Sequence, residues 1–296
     1  MEFHEKFLIS LLSKRARNTL KLTSVPSEFQ FHLGRDLQIT PIQSIYERDR
    51  FEGGYCIGGE EMWLIFKPKE VISLDGIEKH LLLTAHVLDT FSISSITMTF
   101  LHEALPSSAW QLMKIINQRQ ANVRFLLCLM KTDSSEFLPR FLDECTEVTG
   151  CIRIPVCFPD VFVFTPSRPF KTREFRVKGK CDWLNIDSLI NCRIIQLEFR
   201  KTSNRTAKCW KRFFDNWKNG LSLSCYGESE YEVMIGGLID GGTETEIECL
   251  LSEVKRRDGS EFMVKGYTGF HVMPKQAYLE YMKREDLYYS IQTPPI

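Results

Sequence analysis

Two runs, Ser95-Ile96-Thr97-Met98-Thr99-Phe100-Leu101 and Val123-Arg124-Phe125-Leu126-Leu127-Cys128-Leu129-Met130, set the architecture to expect. The first alternates β-branched and apolar residues as a strand does. The second is a near-continuous apolar run of strand length, the pattern of a strand covered on both faces. Between them, Ser107 to Gln118 reads as a short helix with Trp110, Met113 and Ile116 on one face. After the second run, Asp133-Ser134-Ser135-Glu136 is a capping box, with the Asp133 carboxylate placed to accept orphan amides, and predicts a helix start. Phe137, Leu138, Phe141, Leu142, Cys145 and Val148 follow at three- and four-residue steps, and Gly150 stands where helices commonly end in the left-handed conformation. Cys151 to Val156 begins a third strand, which Pro155 either interrupts or marks as an edge.

Downstream, a Pro-rich loop from Pro155 to Pro169 precedes a renewed alternation. Phe175 to Gly179 reads as a strand, Ile186 to Cys192 as one or two helical turns, and Arg193 to Phe199 as a strand. Thr206 can cap a helix carrying Trp210, Phe213, Phe214 and Trp217 at i, i+3, i+4 and i+7, closed by Gly220 before a strand from Leu221 to Tyr226. That aromatic stripe fits core packing better than a binding face, because four exposed rings would invite aggregation. Thr245 to Val254 and Glu261 to His271 then read as two strands joined by the turn Arg256-Arg257-Asp258-Gly259.

Strand starts near residues 96, 123 and 151, and again near 193 and 221, recur at about the 20 to 29 residues of a leucine-rich-repeat unit. The expected fold class is therefore α/β: an irregular, leucine-rich-repeat-like βα solenoid with a mainly parallel sheet, a short N-terminal helical segment and a C-terminal β-hairpin cap. Strands near 96, 123, 151 and 193 should lie side by side with their helices on a common side, because parallel crossovers are right-handed. An ordinary doubly wound sheet would give similar alternation.

With Lys plus Arg and Asp plus Glu at 38 each, no overall field draws the chain to nucleic acid or to an anionic membrane. The ten cysteines are scattered singly, without zinc-site spacing, as befits a reducing compartment. The apolar stretch Phe7 to Leu12 has no cleavage site after it and no window is long enough to span a bilayer, so an intracellular protein, cytoplasmic or nuclear, is expected. On that basis Asn204-Arg205-Thr206 reads as a helix entry rather than a glycan acceptor.

Catalytic, cofactor and metal sites are not expected. Gly53-Gly54 and Gly58-Gly59 lack phosphate-loop spacing and read as plain turns. His102-Glu103 lacks the second histidine of a zinc-protease helix, His80 and His86 fall on different helix faces, and no Gly-x-Ser-x-Gly elbow occurs.

Three stretches together resemble the F-box-associated type 2 family expanded in nematodes. They are Phe7 to Lys21 with its Ser13-Lys14-Arg15 element, Asp182 to Cys192 followed by Phe213 to Gly220, and Arg256 to Ser260 with Phe270 to Met273 beyond it. The resemblance implies a non-catalytic substrate receptor of a cullin-type (SCF) ubiquitin ligase, in which the last F-box helix meets the adaptor subunit and the associated domain binds a protein target. Phe7, Leu8, Leu11 and Leu12 would supply the adaptor-binding stripe. The family's F-box has further helices before this one, so a shortened F-box that holds the adaptor weakly or not at all is expected. The corresponding layout is an F-box remnant at 1–24, a linking αβ region at 25–94, the associated domain at 95–282 and a tail at 283–296. A general interaction scaffold without a ligase link is the alternative, and an unrecognised α/β enzyme the third.

Overall fold

The computed structural model describes residues 3–23, 25, 27–42, 51–67, 70–131, 136–159, 162–192, 194–198, 212–213, 216, 232–236, 250–255, 261–266, 269–276 and 279–280. Contacts divide the chain into two compact units, one of residues 1–162 with 166–172 and one of residues 163–165 with 173–296. The first takes in both N-terminal helices and runs past the boundaries expected at residues 24 and 95, the second of which falls inside a strand.

The first unit opens with helices α1 (Phe3–Leu12) and α2 (Lys14–Thr23), then strands β1 (Ser27–Leu33), β2 (Leu37–Pro41), β3 (Phe51–Ile57), β4 (Glu60–Lys67) and β5 (Glu70–Ser73). It continues with α3 (Ile77–Thr90), β6 (Ile93–Phe100), α4 (Pro106–Gln118), β7 (Val123–Cys128), α5 (Phe137–Glu144) and β8 (Cys151–Ile154). The strand order is β8-β7-β6-β1-β2-β5-β4-β3. Pairs β1–β6, β6–β7 and β7–β8 are parallel, whereas β1–β2, β2–β5, β4–β5 and β3–β4 are antiparallel. The class is α/β as expected, but the sheet is mixed rather than mainly parallel.

The parallel run advances in one direction without reversal, and right-handed crossovers then put every connecting helix on the same face. Contacts agree, since α2, α3, α4 and α5 touch in series as one layer. The described helices consequently cover one face of the β7 run, and its other face is partly buried. Leu126 and Cys128 are buried, while Phe125 and Leu127 are half-buried and Arg124 is exposed, which corrects the two-sided burial read from its apolar composition.

Local chemistry explains the helix ends. Pro106 occupies the first turn of α4, where its missing amide costs nothing, and Ala109, Leu112, Met113 and Ile116 bury one face. Trp110 lies at the margin of that face, its ring against Phe137 and under the cations of Lys114 and Arg140. Gln120, at φ 54°, ends the helix in the left-handed conformation. Helix α5 begins at Phe137, with Glu136 as an N-cap whose side chain makes no capping hydrogen bond and pairs with Arg140 instead; Asp133 lies outside the described residues. It gives way to a 3-10 turn, Cys145–Glu147, so Gly150 is not its cap. Glycine is required there for another reason: a Cβ would collide with the Arg124 carbonyl oxygen on β7. Strand β8 stops at Ile154, immediately before Pro155.

Of the paired glycines, Gly58 and Gly59 form the β3–β4 turn at φ 64° and 90°, whereas Gly53 and Gly54 lie inside β3, Gly54 opposite Trp63. Cys128 and Cys145 sit in the core as expected of small apolar thiols, and burial raises both pKa values, that of Cys128 to about 12.

The second unit contains β9 (Glu174–Lys180), a 3-10 turn at Ile186–Leu189, β10 (Ile194–Glu198), β11 (Glu232–Gly236), β12 (Leu250–Lys255), β13 (Glu261–Gly266) and β14 (Gly269–Pro274). Its strand order is β12-β13-β14-β11-β10-β9, parallel from β9 to β11 and antiparallel beyond. The expected C-terminal hairpin exists as β12 and β13, with Lys255 opposite Glu261, but the run to His271 divides into two strands. Phe213 is buried; Trp210, Phe214, Trp217 and the strand expected at 221–226 lie outside the described residues, as do Thr206 and the sequon.

Candidate functional site

The stretch read as one helix from Phe7 to Lys21 folds as two. Ser13 lies between α1 and α2, and its Oγ accepts from the Ala16 amide at 3.1 Å, an N-cap for α2. The four stripe residues diverge in environment. Phe7 is fully buried, with its ring 5.2 Å from Phe66 of β4 and 5.3 Å from His86 of α3. Leu11 is half-buried, and Leu8 and Leu12 are exposed by 38% and 78%. A further ring, Phe3, packs at 5.9 Å on Phe29 of β1 and at 5.2 Å on Phe91.

Beside Phe7 a buried polar chain crosses the helix layer. Arg17 Nη1 lies 3.5 Å from His86 Nδ1, His86 Nε2 lies 2.7 Å from Ser10 Oγ, and Ser10 Oγ–H donates to the Phe7 carbonyl at 2.5 Å. A guanidinium only donates, so Nδ1 accepts and the ring proton sits on Nε2, where it donates to Ser10. His86 therefore cannot take the Ser10 proton, and the pair is not an activated nucleophile. Burial first, and then the Arg17 charge, lower the His86 pKa to about 4 against the opposing pull of Asp89, so the ring is neutral at pH 7. His80, on another stripe of α3, donates from Nε2 to the Ser73 carbonyl at 3.1 Å, and burial lowers its pKa too. The two histidines share no site. Sequence reading missed the link of His86 to Ser10 and Arg17, because residues 69 to 76 positions apart meet only through tertiary packing.

On the sheet of the first unit, Phe29, Ile96, Met98, Phe100, Leu126 and Ile152 are buried, and Phe29 and Phe100 meet Phe3 and Phe141 of the helix layer. Alternation sends Gln30, His32, Thr97, Thr99, Phe125, Leu127 and Arg153 to the opposite face. There Thr99 is buried, Gln30, His32, Thr97, Phe125 and Leu127 are half-buried, Arg153 is exposed, and the Arg153 guanidinium lies 5.3 Å from the Phe125 ring centre. The ring contacts of α1 and α5 lie on the Phe29 and Phe100 face, opposite this one.

In the second unit a cavity of about 210 Å³ is lined by Val163, Asp182, Trp183, Leu184, Asn185, Ile186 and Arg212. Asn185 Oδ1 accepts the Asp187 amide at 3.1 Å, and Arg212 pairs with Asp187 at 2.7 Å. This is the Asp182 to Cys192 stretch that carries part of the resemblance. Among the described residues, no group of three or more His, Cys, Asp or Glu could hold a metal ion, and no helix is long and apolar enough to cross a membrane. No family model, curated protein or solved structure matches the chain.

Proposed function

We propose that the chain is a non-catalytic protein-recognition module, a substrate receptor of a cullin-type ubiquitin ligase with a shortened F-box, acting inside the cell. The observation that carries recognition is the sheet face of Gln30, Thr97, Phe125, Leu127 and Arg153, opposite the face on which the rings of α1 and α5 pack. Parallel strands are ordinarily covered on both faces, whereas here a mixed row of amide, hydroxyl, aromatic, aliphatic and guanidinium groups stays accessible on a rigid sheet. Such a mixture suits a protein surface, with Phe125 and Arg153 as the anchor types that dominate interface energies. The one-directional run β1-β6-β7-β8 supports an irregular βα solenoid, whose sheet forms the extended binding surface.

The ligase link rests on the resemblance at Phe7 to Lys21, and the rival reading is a scaffold without that link. Affinity capture of the full chain from cell extract tests both. Recovery of adaptor and cullin subunits, weak as a shortened F-box would make it, supports the receptor, and their absence alongside a retained target favours the scaffold. Phe125→Asp with Arg153→Glu should abolish target capture without changing the far-ultraviolet spectrum. Undiminished capture by that double variant would remove the sheet face from the argument.

A further inference from the structure

Strand β3 ends the strand order of the first unit, and among the described residues it pairs with β4 alone. The hairpin fixes which of its backbone groups point to the open edge. The two-residue turn of Gly58 and Gly59 makes Ile57 and Glu60 a hydrogen-bonded pair, and bonded and non-bonded pairs then alternate along the ladder. Tyr55–Met62 and Gly53–Leu64 are therefore bonded pairs, and Gly54–Trp63 is not. The Trp63 amide agrees, because it points to the other side of β4, where Asp75 Oδ2 accepts it at 3.1 Å. The amides and carbonyls of Glu52, Gly54 and Cys56 consequently face outward, and all three residues are exposed.

Open edges are ordinarily blunted by lysine, proline or a bulge. Strand β3 carries no lysine or proline, and its register with β4 runs unbroken from Phe51 to Ile57. Nor does anything within the chain call for glycine at position 54. Its φ is not positive, and an added Cβ would come no nearer than 4.0 Å, to the Trp63 ring. A bare position inside a strand otherwise marks the close approach of another backbone. Trp63 on the same face is 51% exposed, and Phe51 at the start of the strand is 47% exposed.

We propose that β3 is a self-pairing edge, along which two copies of this chain join antiparallel about a two-fold axis at Gly54. Among two-fold registers, this one alone engages the outward groups of all three residues: Gly54 meets its own copy, and Glu52 meets Cys56 on either side of it. The two Glu52 carboxylates are thereby kept from facing each other. Between these pairs Phe51 falls opposite Ile57, and Tyr55 opposite Gly53. The two β4 strands then lie three strand spacings apart, about 14 Å, and with no side chain at Gly54 the two Trp63 rings can close over the axis. This match of the strand to itself selects a second copy over an unrelated extended segment.

Sedimentation equilibrium of the full chain, from micromolar to hundreds of micromolar, should show monomer and dimer in exchange. Gly54→Lys sets like charges against each other on the axis and should weaken the dimer about tenfold or more, with an unchanged far-ultraviolet spectrum. Trp63→Ser, at an exposed ring, should weaken it as well and serves if Gly54→Lys fails to fold. Glu52→Cys reads the register. Positions 52 and 56 of one strand lie about 13 Å apart, beyond disulfide reach, whereas a hydrogen-bonded pair across the axis is within it. Mild oxidation of Glu52→Cys should therefore link position 52 of one copy to Cys56 of the other, as identified by peptide mass spectrometry. A chain that stays monomeric throughout, a dimer indifferent to both Gly54→Lys and Trp63→Ser, or an oxidised dimer linked only through other cysteines overturns the proposal.

Discussion

His86 shows how much a single buried side chain can govern. Its neutral ring fits the Arg17–His86–Ser10 chain and its charged ring does not, so its pKa of about 4 in the folded chain lies below the usual value of about 6.5. Between those values the unfolded chain binds more protons, and stability must fall as the pH drops from about 6.5 toward 4, with the contribution intact above that window. The loss reaches roughly 3 kcal/mol for this group, and His80 and His32 shift in the same direction. Urea midpoints measured from pH 7 to 4 should decline, and a flat profile would place His86 in water. Gly150 makes a second case of one residue with one cause. Gly150→Ala drives a Cβ into the Arg124 carbonyl, which belongs to a strand and cannot rotate away. A loss of about 1 to 3 kcal/mol in denaturant unfolding is expected. Its place after an amphipathic run suggested a helix cap; the cap and the close approach both call for glycine, and only the position of β7 distinguishes them.

At the scale of elements, turns and caps can be tested independently of packing. Gln120 ends α4 at φ 54°, a conformation that costs an L side chain but not glycine. Gln120→Gly should therefore raise thermal stability, by roughly 0.5 to 1 kcal/mol, without altering the spectrum. At Gly59, φ 90° in the β3–β4 turn, an added Cβ would meet nothing within 4 Å, so any cost of Gly59→Ala is a backbone cost. A decrease of about 1 to 2 kcal/mol is expected, and an unchanged melting temperature would mean that the turn is not held in this form. Phe213, the described member of the aromatic stripe, is 2% exposed, and Phe213→Ala should cost roughly 3 to 5 kcal/mol on unfolding.

Across the whole molecule, burial sorts the thiols. Cys56 is exposed, whereas Cys128 and Cys145 are buried with pKa values raised by desolvation, so a thiol reagent at pH 7 should modify Cys56 quickly and leave the other two until the chain unfolds. Mass spectrometry of the labelled native chain reads this directly, and early modification of Cys128 would contradict the core. The sequence alone determined the αβ alternation from β6 to β8, the placement of Met113, Ile116, Leu138, Phe141 and Leu142 in the core and the hairpin of β12 and β13, because these follow from side-chain period and turn chemistry within a short window. Only the tertiary structure decided which strands are neighbours, that β1 inserts between β2 and β6, that Phe125 and Leu127 face away from the helices, and that Phe7 turns inward while Leu8 and Leu12 turn outward. An apolar side chain records that some partner exists, not which one. Strand order and the choice of face arise from contacts between residues tens of positions apart, and no local pattern encodes them.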